Sequence, residues 1–362
     1  MRTGTADLPL HGGKCPPWLF ERMRRLGVAI LEVIVSEYGP LEVLRRLSDP
    51  HWFQALGCVL GFDWHSSGLT TTVCGAIKEG LRGREKDLGL FVAGGKGKAS
   101  LRTPQEIVSH AERHGISSGE RLVYASRLSA KVDNAGLQDG YTLYHHVFFF
   151  TAKGEWAVVQ QGMDPATGWA RRYHWLGEQV ASFVCEPHAA VCGSPSAAVV
   201  NLVAREAEEN RRVSTLLSRQ KPERLLREYQ ALLSHPGAER LLRLPATHAV
   251  PKAGSLEKAL RLAYQAQAAD FEGLLGLRGV GPAALRALAL VAEVAYGAET
   301  SFRDPVRYSF AHGGKDGHPF PVDRRTYDHS VAVLEEALRK ARTGRSEKLA
   351  ALKRLSSLKL LS

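Results

Sequence analysis

The sequence predicts an α+β protein, in which an N-terminal mixed α/β region with a β-hairpin sheet precedes a C-terminal all-α domain. Apolar segments with strand character and a tight turn lie before residue 195, and helical periodicity dominates from about residue 201. The change falls at the turn Gly193-Ser194-Pro195, a typical chain-breaking composition. We therefore divide the chain into residues 1–195, a helical domain at 196–345 and a basic tail at 346–362.

Individual elements of the first region follow from local patterns. Apolar residues at spacings of three and four predict a helix over 17–48, interrupted at Pro40. An apolar strand within 89–104 runs into a glycine- and lysine-rich turn. Residues 122–132 and 141–163 have strand character, and we expect pairing through a turn at Lys153-Gly154.

Composition indicates a globular protein with an anionic partner. The chain of 362 residues is 44% hydrophobic and 23% charged, which is normal for a protein with a buried core. Its 48 Lys and Arg against 37 Asp and Glu give a net charge of +11, which favours nucleic acid as a partner. Part of the excess lies in the basic tail. The composition, rich in Leu, Ala and Arg with only three Met, is typical of thermophiles.

Other classes of protein are disfavoured. No apolar run is long enough to span a bilayer and the N-terminus lacks a signal peptide, so we expect a cytoplasmic protein. The five cysteines show no disulfide framework. Cys185, His188 and Cys192 lie close in sequence but lack a fourth ligand, so we expect buried thiols, no metal and no cofactor. The sequence does not indicate an oligomeric state.

Two basic segments are candidate DNA contacts. Lys96, Lys98 and Arg102 follow glycines that allow close approach of a phosphate, although a solvated hairpin turn explains them equally well. Arg171 and Arg172 alternate with aromatic residues, as in surfaces that stack on unpaired bases and also in ordinary strand edges. The candidates for base stacking are Tyr141, Tyr144, Trp156 and Trp175.

The most informative segment is 271–297, where two helical runs flank the loop 277–281. Gly279 and Gly281 permit a tight hairpin, and Pro282 is suited to the first position of the next helix. The free backbone N–H groups and the dipole of that helix form a phosphate site without any side chain. The predicted DNA-binding residues of this hairpin are Gly279, Val280, Gly281 and Ala283.

This segment resembles the helix-hairpin-helix motif, which recurs in polymerases, ligases, nucleases and helicases and implies DNA binding. Downstream, Pro321-Val322-Asp323 followed by a helical run is similar to the end of the glycine/proline-rich loop in the helix-hairpin-helix-GPD DNA glycosylase superfamily. The resemblance implies that Asp323 is the catalytic carboxylate. In such an enzyme, a fixed carboxylate stabilises positive charge on the deoxyribose or deprotonates the attacking water.

The chain departs from this family in two places. The loop before Asp323 is long, and Asp304 lies nearer the usual separation, so it is the alternative catalytic carboxylate. Bifunctional glycosylase/lyases carry a lysine where this chain has Ala283. The enzyme is therefore either monofunctional or uses another lysine, for which Lys315 is the candidate.

The chain as a whole, with GFDWHSSG, LQDGYTLYHHVFFF and FAHGGKDGHPFPVDR, resembles a prokaryotic family of unassigned function. We therefore expect a base-excision DNA repair enzyme, and two alternatives remain. One is a metal-dependent nuclease that uses acidic residues near the hairpin sheet, and the other is a non-catalytic DNA-binding protein. The residues considered for the nuclease are Lys131, Asp133, Glu155 and Gln160, with His145 and His146 as further candidates.

Overall fold

The computed structural model describes residues 15–62, 67–165, 167–196, 199–233, 253–306, 324–341 and 344–359. Its strands are β1 (Leu90–Lys96), β2 (Leu137–Gln138), β3 (Thr142–Thr151), β4 (Trp156–Asp164), β5 (Trp169–Leu176), β6 (Ala190–Cys192) and β7 (Val200–Asn201). One antiparallel sheet of five strands has the order β1-β3-β4-β5-β6, and β2 pairs with β7 separately. The prediction of an α+β protein is confirmed.

Along the chain, one group of helices precedes β3 and a second group follows β7. Those before β3 are α1 (Pro17–Tyr38), α2 (Pro40–Ser48), α3 (Pro50–Val59), α4 (Gly68–Leu81), α5 (Glu85–Leu88), α6 (Thr103–His114) and α7 (Gly119–Lys131). Those after β7 are α8 (Glu208–Ser218), α9 (Pro222–Leu232), α10 (Ala253–Ala266), α11 (Phe271–Gly276), α12 (Pro282–Tyr296), α13 (Arg324–Lys340) and α14 (Arg345–Lys359). No helix of the described residues is long and apolar enough to cross a membrane.

The sheet separates two hydrophobic clusters. Successive side chains of a strand point to opposite faces, so Val147 and Phe149 of β3 pack with α1–α4, whereas Phe148 and Phe150 pack with α6 and α7. We call the cluster on the α1–α4 side the first cluster and the cluster on the α6–α7 side the second cluster. The second cluster also includes residues of α8–α12, among which Leu285 is fully buried. Packing therefore crosses the boundary that the sequence suggested near residue 195.

The C-terminal helices return to the first cluster. Leu334 and Leu338 of α13 and Leu355 of α14 pack among the buried residues of α1–α4. The Nε of Arg354 donates a hydrogen bond of 2.8 Å to the carbonyl oxygen of Val59 at the end of α3. The segment predicted as a basic tail thus includes a helix that covers the N-terminal layer.

Local predictions succeeded where a breaker residue fixed the backbone. The break at Pro40 is confirmed, because α1 ends at Tyr38 and Gly39 adopts a φ of 84° before α2 begins. The turn at Lys153-Gly154 joins β3 to β4, where the N–H of Gly154 donates to the carbonyl oxygen of Thr151.

The prediction of a strand over 122–132 is wrong, because 119–131 form α7. Leu122, Ala125 and Leu128 are buried at helical spacing, whereas Tyr124 and Arg127 are exposed. The apolar residues of this short segment fit the two-residue period of a strand as well as the 3.6-residue period of a helix. The helix forms because it packs one apolar face on the second cluster.

Burial of His145 on the α1–α4 side of β3 makes the stability of the fold depend on pH. Neither ring nitrogen has a hydrogen-bond partner among the described residues, and burial lowers the pKa of His145 to about 3. The unfolded chain binds this proton below pH 6.5 or so, whereas the folded protein does not, so stability is present above that value and decreases as the pH falls.

We therefore expect His145→Gln to reduce the slope of the unfolding free energy against pH between pH 6 and 4 by about 1.4 kcal/mol per pH unit. This change corresponds to nearly one proton fewer taken up on unfolding. Urea unfolding at a series of pH values measures this slope for the variant and the wild type. Equal slopes for the two proteins would contradict the assignment of a neutral, buried His145.

Candidate nucleic-acid interface

The loop between α11 and α12 forms a compact hairpin of backbone. The Asp270 side chain accepts a hydrogen bond of 2.8 Å from the N–H of Gly273 and so caps α11. Gly279 adopts a φ of 95°, and a Cβ there would lie 2.7 Å from the Cδ1 of Leu262. Val280 is fully buried and anchors the loop. The hairpin that the sequence indicated is therefore present, with glycine required at position 279.

The first turn of α12 has uncapped backbone N–H groups. Gly281 is the N-cap residue and supplies no side chain, Pro282 follows at the first helical position, and the first turn contains no acidic residue. Gly281 has an ordinary φ of −120°, and a Cβ there would contact nothing within 4 Å. Because the fold does not require this glycine, its absent side chain leaves the N–H groups open to an anion.

Lys131 places a positive charge directly against this loop. Its Nζ donates hydrogen bonds to the carbonyl oxygens of Leu277 at 3.0 Å and Val280 at 2.6 Å. Burial lowers the pKa of Lys131. The lysine fixes the conformation of the hairpin and offsets the carbonyl dipoles, so it favours an anion at the opposite, N–H side of the loop.

The basic turn of residues 96–102 lies at the same end of α7 as the hairpin. At one end of the α6–α7 pair, a Cβ on Gly119 would lie 2.8 Å from the Cβ of Ala111. At the other end, the carbonyl oxygen of His146 and the Oγ1 of Thr103 both lie within 2.5 Å of a Cβ built on Gly94. Ser126, in the later part of α7, also contacts the ring of His146. The start of α6 therefore lies near the later part of α7 while the end of α6 lies near the start of α7, so the two helices are antiparallel.

Five exposed cations lie in the hairpin, on the adjoining helix α7 and in the turn 96–102, and we call this set of residues the basic end. α7 packs on α11, because a Cβ on Gly276 would lie 3.7 Å from Leu128 and the hydroxyl of Tyr124 donates to Glu272 at 2.6 Å. None of the five cations lies within salt-bridge distance of a described carboxylate, and Lys96 additionally lies 5.7 Å from the ring centre of Tyr144. They are Lys96, Lys98, Arg102, Arg127 and Arg278.

Two of the predicted DNA contacts are wrong. Arg171 and Arg172 on β5 are completely buried. Arg171 donates to Asp139 at 2.8 Å, and Arg172 donates to the side chain of Gln54 at 3.2 Å. Their charges are used inside the protein, so neither guanidinium reaches a phosphate.

Three of the four predicted stacking residues are also wrong. Trp175 is fully buried, and Tyr141 and Trp156 expose only 7% and 8% of their surface. Trp156 stacks on Phe148 and Phe183 within the core. Tyr144 is half-buried beside Lys96 at the basic end, so its role in stacking stays a prediction.

Asp304 is held as a structural carboxylate. Its oxygens accept two hydrogen bonds from Arg171, at 2.8 and 3.1 Å, and two from the N–H groups of Ser196 and Val306, at 2.6 and 3.0 Å. A carboxylate saturated by four donors is neither free to deprotonate water nor available to a sugar. We therefore correct its assignment as an alternative catalytic residue. Asp323 and Lys315 lie outside the described residues.

The residues considered for a nuclease do not form a metal site in the described part of the chain. Asp133 is buried and accepts hydrogen bonds from Gln160, Trp175 and His188. Glu155 instead accepts from Thr151 at the β3–β4 turn. No group of three potential metal ligands occurs among the described residues.

His188 pairs with Asp133 in the structure, and no local sequence pattern reveals this pairing. His188 lies between two cysteines in the sequence, whereas its partner lies 55 residues earlier. His146, by contrast, contacts Ser126 at 2.9 Å and Gln160 at 2.6 Å and is a hydrogen-bonded core residue.

Comparison with known proteins gives one match. The model of a family described as a protein of unknown function (DUF763) matches residues 4–322. No curated protein and no solved structure matches. The comparisons therefore show which family the chain belongs to, and a proposal about its chemistry has to rest on the structure.

The buried pairing of Arg171 with Asp139 and Asp304 gives a stability prediction. Arg171→Met leaves two neighbouring carboxylates without a cation, so we expect a loss of about 3–5 kcal/mol of unfolding free energy in urea titration. A triple variant that also carries Asp139→Asn and Asp304→Asn is expected to regain part of this loss. Arg45→Met, which removes an exposed pair with Glu178, is the control and should change stability little. An equally mild effect of Arg171→Met would contradict the assignment.

Proposed function

We propose from the geometry that this chain, which belongs to the family of unknown function DUF763, binds duplex DNA with the basic end on the phosphate backbone. The observation that carries the proposal is the open first turn of α12, with Lys131 against the hairpin and the exposed Arg278 within it. The other four cations of the basic end supplement this site, and none of them pairs with a carboxylate in the described part of the chain. Backbone N–H groups bind one phosphate at a fixed position, and the exposed cations contact its neighbours.

Such contacts position DNA without reading its sequence. Duplex DNA carries about one negative charge per 1.7 Å of its axis, so separated cations on one protein surface can each meet a phosphate. The net charge of +11 strengthens the attraction at long range. Binding is therefore expected to be tight at low salt and weak at high salt, with little preference among sequences.

We further propose that the bound DNA is a substrate for base excision, with Asp323 as the carboxylate. This step rests on the resemblance of the hairpin and of Pro321-Val322-Asp323 to the helix-hairpin-helix-GPD glycosylases. In the reaction, the bond between the base nitrogen and C1′ breaks, water adds to C1′, and the water proton passes to the carboxylate. The departing base then takes up one proton and the carboxylic acid gives one up, so the sum of the reaction is the addition of one water and neither a metal nor a redox cofactor takes part.

An acidic residue on the first turn of α12 tests the phosphate site without harming the helix. Ala283→Asp places a negative charge where the helix dipole favours it, yet repels a phosphate. We expect DNA affinity at 0.1 M salt to fall about tenfold and the slope of log K against log salt to lose about one unit.

Fluorescence anisotropy with a labelled duplex measures both quantities. Ala152→Asp is the matched control, because this exposed residue lies in the β3–β4 turn, at the opposite end of α7 from the basic end. Lys98→Gln and Lys153→Gln form a second pair of the same design. Equal losses for Ala283→Asp and Ala152→Asp would show that net charge, and not the hairpin, controls binding.

The proposed reaction is tested with labelled duplexes that each carry one modified base, incubated in EDTA. We expect breaks at one lesion only after alkali treatment, and their loss in Asp323→Asn. Asp304→Asn should lower stability, while the protein that remains folded keeps its activity. Cleavage that requires Mg²⁺ would favour a nuclease, and intact DNA under both conditions would leave a binding protein.

A further inference from the structure

A small cavity lies between β6, β7 and the segment 301–305. It has a volume of about 120 Å³ and is lined by residues that include Glu186, His188, Val191, Val203, Arg303 and Pro305. One wall comes from the edge strand of the sheet. The other comes from the segment that follows α12, which the N–H of Asn201 holds by donating to Ser301 at 2.8 Å.

His188 is fixed within this cavity by a buried carboxylate. Its Nε2 donates to Asp133, which is fully buried, and only 7% of the His188 side chain is exposed. The Nε1 of Trp175 donates to Asp133 at 2.9 Å, and its ring contacts His188 edge-on at 4.7 Å. Because a carboxylate oxygen accepts this hydrogen bond, Nε2 is the protonated nitrogen of the neutral imidazole, and in that tautomer Nδ1 presents a lone pair.

The Nδ1 of His188 therefore acts as an acceptor that the protein leaves unused. No described residue forms a hydrogen bond with this atom, although the ring is more than nine-tenths buried and lines the cavity. The atom faces the cavity, so a ligand with an N–H or O–H group can donate a hydrogen bond to it there.

The walls define the size and chemistry of that ligand. The volume corresponds to about four liquid water molecules, which suits one small planar ring system. Val191, Val203 and Pro305 supply apolar surface, while Glu186 and Arg303 add an acceptor and donors at the rim. A nucleobase has this combination of apolar faces and a polar edge of donors and acceptors.

The cavity shares its framework with the hairpin. Asp133 lies two residues after Lys131, so their Cα atoms are at most about 7.6 Å apart. Lys131 holds the hairpin and Asp133 holds His188. Gln138 of β2 donates to the carbonyl oxygen of Pro282 at 3.0 Å, and β2 pairs with β7 of the cavity wall.

We propose that this cavity receives a single nucleobase extruded from DNA bound at the basic end, with Nδ1 of His188 as the acceptor that orients it. The claim that the nucleobase comes from bound DNA rests on the proposed function, whereas the claim that the cavity binds a nucleobase does not. His188 is the contact residue, and Asp133 is a positioning residue that sets its tautomer.

The first experiment uses the full-length protein labelled with ¹⁵N-histidine and free adenine, cytosine, uracil or hypoxanthine as probes. At least one base should shift the Nδ1 resonance of His188, which His188→Gln identifies by its disappearance. The dissociation constant for that base should rise at least tenfold in Asp133→Asn, with an increased fraction of the tautomer protonated at Nδ1. A stable Asp133→Asn protein with unchanged tautomer and affinity would overturn the role of Asp133.

The second experiment uses a duplex with one central 2-aminopurine, whose fluorescence increases when the base leaves the stack. The wild type should increase this fluorescence, and His188→Gln should reduce the increase even at protein concentrations at which anisotropy shows the duplex to be fully bound. DNA binding without a shift by any free base would overturn the cavity assignment and leave the proposed function standing. A shift by a free base without DNA binding would support the cavity and contradict the proposed function.

Discussion

The buried charge of Asp139 determines how the two halves of the chain are joined. This carboxylate lies just after β2, fully enclosed, and accepts hydrogen bonds from Arg171, from the hydroxyl of Tyr173 and from the N–H of Tyr141. Taking such a charge out of water is costly unless each oxygen has a donor. Burial alone would lower the pKa of Arg171, but Asp139 and Asp304 together raise it above its ordinary value. Burial in turn raises the pKa of Asp139, which the Arg171 guanidinium opposes. Through Arg171, the two carboxylates tie β5 to the segment after α12.

The residues from 131 to 139 act as one connecting segment. The chain passes through a π-helical turn at Val132–Gly136, a geometry that re-aims side chains relative to an α-helix and is frequent at functional sites. As a result, Lys131 meets the hairpin, Asp133 meets His188, and Asp139 meets Arg171. The hairpin, the cavity and the sheet therefore each receive one polar contact from this short segment.

The sequence was sufficient wherever structure follows from neighbouring residues. Gly39-Pro40, the β3–β4 turn and the hairpin around Gly279 are all fixed by backbone requirements that single residues reveal. It was insufficient where the decision lay in distant partners. Arg171 beside aromatic residues suits a base-binding surface, yet its partner Asp304 lies 133 residues away and makes it a core residue.

The same limit explains the candidate site. The hairpin proposed to bind phosphate could be inferred because its shape follows from local backbone geometry, whereas Lys131 reaches it from 146 residues earlier in the chain. His188 and Asp133 form their pair only after the sheet and α7 have packed. Basic residues could be counted from the sequence, but their pairing with carboxylates could not.

The distribution of the surplus charge follows from this pairing. In the C-terminal helix, Arg354 donates to Val59 and Lys348 donates to the carbonyl oxygen of Arg339, so these cations serve packing. At the hairpin, α12 also begins without a side-chain cap, as do several other described helices, and glycine at the N-cap costs only about a few tenths of a kcal/mol relative to Ser or Asp. The missing cap therefore costs the fold little, while it leaves N–H groups that a bound phosphate would satisfy, and this is the contact on which the proposed DNA binding depends.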